Sequence, residues 1–173
     1  MIIPMRKIIL FIASSLDGYI AKNDGDVDWL PVSGPSGYDD FYKSIDTVIM
    51  GKTTYDQILT FGAYPYPDKK SYVFTRNSDH KKDGDIQFVN DVEKLTKNIL
   101  SNPGMNIWLV GGSKIISNFM NLGFIDEIII TIIPTVLGNG IPLFVDIQKE
   151  TKFELIKTTD YDTLVELHYK ILK

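Results

Sequence analysis

The sequence predicts an α/β layered fold in which a central, mixed but mostly parallel sheet is flanked by helices. Three observations carry that expectation. Apolar runs at 6–13, 47–50, 71–74, 86–89, 107–110 and 126–133 are short and nearly continuous, as strands covered on both faces are. Stretches with helical apolar spacing lie between most of them, the connection that parallel strands require. Beyond residue 150, two extended runs at 152–158 and 163–171 follow one another directly, so the sheet is mixed rather than purely parallel.

The first strand, 6–13, ends at Ala13 and passes into Ser14-Ser15-Leu16-Asp17-Gly18, then into the short extended piece Tyr19-Ile20-Ala21. Its Arg6-Lys7 start and apolar centre have the look of a secretion signal. The run is short, lacks a small-x-small cleavage site and leads straight into that loop, so a central strand is expected. Acids recur at alternate positions in Asn23-Asp24-Gly25-Asp26-Val27-Asp28. A calcium-binding EF-hand loop needs Gly and Glu where Trp29 and Pro35 stand, so this is read as a solvated turn.

Ser36-Gly37-Tyr38-Asp39 matches a capping box, and Tyr38, Phe41, Tyr42 and Ile45 behind it form a core-facing stripe. Asp39, Asp40 and Lys43 fall on the solvated side. The strand at 47–50 reaches Gly51-Lys52-Thr53-Thr54, which opens a helix carrying Tyr55, Ile58 and Leu59. Residues 61–70 read as a surface loop, and the strand at 71–74 delivers Thr75-Arg76. Asn90 with Glu93 caps the helix in which Val92, Leu95 and Ile99 face inward. Ile115, Ile116, Phe119 and Met120 make the stripe of the helix after 107–110. The glycines and prolines of 134–144 indicate a structured loop. In the last strand Val165, Leu167, Tyr169 and Ile171 alternate with Glu166, His168 and Lys170.

A chain of 173 residues with no linker, repeat or low-complexity stretch suits one domain, 1–173. The formal charge of −4 argues against general nucleic-acid binding, which needs basic surface to neutralise phosphates. No cysteine is present, which excludes disulfides, thiolate catalysis and Cys-ligated zinc and fits a reducing cytoplasm. No apolar run approaches the roughly 20 residues that span a bilayer, so a soluble protein is expected. His80 and His168 are read as solvated, and no metal site is expected.

The chemistry points to strand ends. Gly111 and Gly112 sit at a strand-to-helix turn, where the absence of a Cβ lets an anion approach the backbone and the helix start favours negative charge. Ser113 and Lys114 follow. Gly51-Lys52 with Thr53, and Thr75-Arg76, repeat the theme at two other strand ends. In an open α/β sheet such ends share one edge, so a ligand with several phosphates is expected there. The spacing is neither a P-loop nor the Gly-x-Gly-x-x-Gly fingerprint.

Five ordered motifs carry a family resemblance: 12–21 (Ile-Ala-Ser-Ser-Leu-Asp-Gly-Tyr-Ile-Ala), 48–54 (Val-Ile-Met-Gly-Lys-Thr-Thr), 73–76 (Val-Phe-Thr-Arg), 110–112 (Val-Gly-Gly), and 126–128 with 134–144. Together they resemble the dihydrofolate reductase-like fold, and specifically the reductase domain at the C-terminus of the riboflavin-biosynthesis protein RibD. The resemblance implies an NADPH-dependent reductase that passes a hydride to a small heterocycle or phosphoribosyl-pyrimidine, as a 5-amino-6-(5-phosphoribosylamino)uracil reductase does. It implies a cis peptide at 111–112 against the cofactor. Lys52, Thr75, Arg76 and Lys114 would surround the 2′-phosphate, Ala13 would meet the nicotinamide, and Trp29 and Thr131 would line the substrate cleft. It also implies a cytoplasmic homodimer. Asp17 either binds substrate or supplies its proton, or simply shapes the turn before Gly18. True dihydrofolate reductases carry a helix carboxylate where this chain has Gly37. That absence argues against a folate substrate and favours a nucleotide-binding module without turnover; this module and a dihydrofolate or pteridine reductase stand as alternatives.

Overall fold

The computed structural model describes residues 5–32, 37–77 and 84–172; Pro35, the cap expected at Ser36, and His80 lie outside them. Strands β1 (Ile8–Ser15), β3 (Ile45–Gly51), β4 (Lys70–Phe74), β5 (Ile86–Val89), β6 (Asn106–Gly111) and β7 (Glu127–Ile133) run parallel in one sheet, ordered β5-β4-β3-β6-β1-β7. Antiparallel β10 (Val165–Ile171) and then β9 (Phe153–Asp160) complete it on the β7 side. The mixed, mostly parallel α/β sheet is the one expected. β1 runs two residues further than its apolar stretch, because Ser14 and Ser15 continue the pairing with Ile132 and Ile133.

Alternate residues of β1 divide the core. Ile8 and Leu10 face a cluster completed by α3 (Val92–Leu100) and α4 (Ser113–Asn121). Ile9 faces a second cluster, with Phe11 packed against it, built with α1 (Tyr38–Lys43) and α2 (Lys52–Thr60). Helices thus cover both faces, which is why these strands are apolar throughout. On α4, Ile115, Ile116, Phe119 and Met120 are all buried, as their spacing predicts. On the α1 side, Phe11 stacks on Phe41 at 4.4 Å between ring centroids and meets Trp108 edge-on at 6.0 Å. The α3 cap is Asp91, accepting from the Lys94 amide at 2.9 Å, one residue later than the expected Asn90.

Two features fasten opposite ends of the sheet. At the carboxyl end, the structured loop expected at 134–144 includes β8 (Ile141–Pro142), which pairs antiparallel with β2 (Tyr19–Ala21). A Cβ on Gly140 would lie 2.3 Å from the Ala21 carbonyl oxygen, so this crossing tolerates only glycine. At the amino end, Arg6 is buried and donates to the Met105 carbonyl at 2.7 Å and the Thr47 hydroxyl at 2.8 Å while pairing with Asp46. Asp46 also accepts from the Met105 amide at 2.9 Å. One guanidinium therefore joins the starts of β1, β3 and β6.

Removing it takes the buried cation from the half-buried Asp46 carboxylate and the buried Thr47 hydroxyl, which among the described residues keep only each other and the Met105 amide. Arg6→Ala is expected to lower stability by about 3–5 kcal/mol, read as a shifted urea midpoint at unchanged slope. A shift below about 1 kcal/mol would show that the cluster is solvated and contributes little.

Candidate functional site

Parallel pairing brings three of the expected strand ends side by side. Gly51 of β3 pairs with Phe74 of β4, immediately before Thr75-Arg76, and Met50 pairs with Gly111 of β6. The Gly111–Gly112 peptide is cis. A Cβ on Gly51 would sit 3.9 Å from the Gly111 carbonyl oxygen, and one on Gly112 would sit 3.3 Å from the Thr54 hydroxyl. The ends of β3 and β6 thus face one another across backbone, with no side chain between them. α2 and α4 both start at this place. Their N-caps, Gly51 and Gly112, are extended and provide no side-chain cap. Two helix starts therefore present amide hydrogens along the same edge, where negative charge is favoured.

The side chains here differ in what they have free. Arg76, Lys114 and Thr53 are exposed. Lys52 is half-buried, ion-paired with Asp56 one helical turn on, and 5.9 Å from the centre of the Tyr55 ring. The Thr75 hydroxyl accepts from the Asn77 amide at 3.1 Å. Ser113 is buried, and its hydroxyl donates to the Pro142 carbonyl. That serine ties α4 to β8, so its amide rather than its hydroxyl faces the glycine edge. An open depression of about 640 Å³ between α3 and α4, lined by Asn90, Glu93, Asn118 and Gln148 among others, contains none of the expected residues.

Asp17 belongs to the rim. Its Oδ1 accepts from the Ser15 hydroxyl at 2.7 Å and the Leu137 amide at 3.1 Å, and its Oδ2 from the Gly138 amide at 2.7 Å. Ser15 in turn accepts from the Tyr19 amide at 2.9 Å. The Ser15 hydroxyl first, and then the two loop amides, hold the Asp17 carboxyl below the ordinary aspartate range despite some desolvation. Both oxygens serve the turn and the loop at 134–138. Of the two roles open from the sequence, these contacts support turn-shaping.

Ala13, expected at the nicotinamide, and Thr131, expected at the substrate, lie in one row across the sheet. Ala13 of β1 pairs with Thr131 of β7, and Thr131 pairs with Glu166 of β10, so the three side chains share the face that α1 covers further along β1. Thr131 is buried. Trp29 is half-buried, and its indole N–H is enclosed without a hydrogen-bond partner. Glu166 was assigned to a polar strand face, and only the pairing register shows it beside Thr131. His168, expected to be solvated, sits two residues on at 2.8 Å from Glu127. Burial raises the Glu127 pKa, but Lys7 at 2.6 Å and His168 outweigh it and hold the carboxyl below its ordinary value. Among the described residues no group of three or more His, Cys, Asp or Glu is placed to hold a metal. No helix there is long and apolar enough to cross a membrane.

The family model of the RibD C-terminal domain matches residues 6–167. The Bacillus subtilis (strain 168) protein YwjB, itself uncharacterized, is 45% identical over 169 residues, covering 95% of this chain and 97% of its own. A crystal structure of a candidate riboflavin biosynthesis protein from Shewanella sp. PV-4 matches with a TM-score of 0.86 at 29% identity, covering 96% of this chain and 99% of that one. The dihydrofolate reductase of Enterococcus faecalis, solved with NADP(H), shares the fold at a TM-score of 0.67 and 18% identity, over 96% and 97% of the two chains.

The Asp17 contacts can be read directly. Its depressed pKa means that its share of the rim's stability is present above the unfolded pKa and is lost as pH falls through the folded one. The Leu137 and Gly138 amide resonances should titrate together, with a midpoint below the 3.8 of a free aspartate. In Asp17→Asn that step should vanish. A midpoint at or above 3.8 would remove the anchoring role.

Proposed function

The chain belongs to the RibD C-terminal domain family, with a dihydrofolate reductase-like fold, and on that premise we propose that it is an NADPH-dependent reductase. Its substrate is a small heterocycle or a phosphoribosyl-aminopyrimidine of the riboflavin-pathway type. The observation that carries this reading is the meeting of Gly51 and Gly111–Gly112 beside two helix starts that lack side-chain caps. A strand-to-helix edge of glycine backbone, where an added Cβ on Gly112 would lie 3.3 Å from the Thr54 hydroxyl, suits a phosphate-bearing cofactor.

When bound, NADPH supplies a hydride to an electrophilic carbon and leaves as NADP⁺. For an open-chain ribosylamine the accepting bond is C=N, so carbon gains the hydride and nitrogen a proton, giving the amine. The chain's residues supply position and charge. Lys52, Thr75, Arg76 and Lys114 hold the adenosine 2′-phosphate, and Thr53 binds the cofactor beside Lys52. The Ser113 amide and the Gly111–Gly112 backbone hold the cofactor's phosphates. Ala13 leaves room for the nicotinamide, Trp29 and Thr131 bound the substrate, and Asp17 fixes the loop that rims it. The cysteine-free chain suits the cytoplasm, acting as one domain.

A second reading, nucleotide binding without turnover, is favoured by two observations. α1 offers Gly37 where dihydrofolate reductases place a carboxylate, and both Asp17 oxygens are engaged. NADPH binding with no oxidation across aminopyrimidine ribosides and pteridines would select it. A homodimer is supported by β9, which ends the sheet with Leu155 51% and Ile156 50% exposed.

Two measurements test these readings. Lys52→Ala and Arg76→Ala should each weaken NADPH by about 1.5–3 kcal/mol while leaving NADH nearly unchanged in fluorescence titrations. Equal losses for both cofactors would contradict the 2′-phosphate assignment. Light scattering should give the mass of two 19.6 kDa chains, and Leu155→Lys with Ile156→Lys should give one. A monomeric parent protein would end the dimer proposal.

A further inference from the structure

Glu166 stands at the end of the Ala13–Thr131–Glu166 row, one strand beyond Thr131. Its Oε2 is screened from solvent and has no hydrogen-bond partner, although the residue as a whole is half-buried and so reachable from one side. A carboxylate oxygen left in that state costs free energy that a ligand N–H would recover. The start of α1 makes room for it. A Cβ on Gly37 would fall 3.9 Å from Glu166 Oε1 and 3.0 Å from the Tyr161 hydroxyl. A Cβ at position 37 would therefore crowd the Tyr161 hydroxyl and stand in contact with the Glu166 carboxylate. The helix supplies no carboxylate there, and strand β10 delivers one to the same space.

We propose that Glu166 is the substrate-anchoring carboxylate of this protein and that it reads an amidine-type N–H edge of a nitrogen heterocycle, as aminopyrimidines and pterins present. The proposal rests on the reductase reading above and names the chemistry of its substrate side. A carboxylate facing adjacent ring N–H and amino groups forms two parallel, charge-assisted hydrogen bonds, a geometry that selects this edge over a methylated or oxygen-only one. Glu166 lies two strand spacings from Ala13, roughly 10 Å, a distance that a ring anchored at Glu166 spans toward the place assigned to the nicotinamide. The groups facing Glu166 are Thr131 of β7, Lys157 of β9, His168 of β10, Tyr161 of the β9–β10 connection and Gly37 at the α1 start. Burial raises its pKa above the ordinary glutamate range, against the opposing pull of Lys157, His168 and Thr131. One oxygen of this carboxylate is nevertheless left without a donor, and a ligand that brings one is favoured.

The test uses the full chain and two probes of similar size, 2,4-diaminopyrimidine and 2,4-dimethoxypyrimidine, titrated calorimetrically with and without NADPH. The parent protein should prefer the diamino probe by about tenfold or more. Glu166→Gln should reduce that preference below about threefold, and Glu166→Asp should restore part of it. NADPH affinity should stay the same in all three proteins, which shows that the variants are folded. No preference in the parent protein, or a preference retained by Glu166→Gln, overturns the proposal. Failure of NADPH to bind would instead defeat the reductase reading and leave the probe preference still measurable.

Discussion

The site depends on the in-register approach of β3 and β6 at their carboxyl ends. Met50 opposite Gly111 sets the relative height of two loops that are sixty residues apart in sequence. Glycine on both sides lets backbone meet backbone, and each strand then turns straight into a helix whose first amides point back at the gap. Gly111 has a φ of +126°, which favours glycine, and a Cβ on Gly112 would crowd the Thr54 hydroxyl at 3.3 Å. The Arg6 cluster at the far end of the same strands keeps the register that this approach needs.

Much of this was legible in the chain. Continuous apolar runs separated by helical stripes led to the parallel sheet, because covering both faces leaves little room for polar positions. The α4 stripe was readable from spacing alone, and the glycine pair before it identified the turn. Lys52, Thr75 and Arg76 stood out as candidates because each lies directly after a strand, and parallel pairing gathers those strand ends at one edge.

What escaped were properties that arise only from pairing. Alternation in β10 shows that Glu166 and His168 share a face, yet not that the face is covered or that Thr131 and Glu127 lie opposite or nearby. Ser113 has the composition of a phosphate ligand, but its hydroxyl is claimed by Pro142, 29 residues away in sequence. Asp17 was ambiguous for the same reason, since its partners Leu137 and Gly138 are 120 residues distant. At the start of α3, Asn90 and Asp91 are both good caps, and local backbone geometry chose the second.

Lys52 brings a consequence of its own through its pairing with Asp56. The ammonium already has a resident counter-ion, so on the proposed reading a phosphate would exchange one anion for another rather than fill an open positive hole. Such an exchange favours a doubly charged guest over a singly charged one, and it leaves a neutral hydroxyl with nothing to gain. On that reading Asp56 would act as an internal competitor, trading absolute tightness for sharper discrimination by charge.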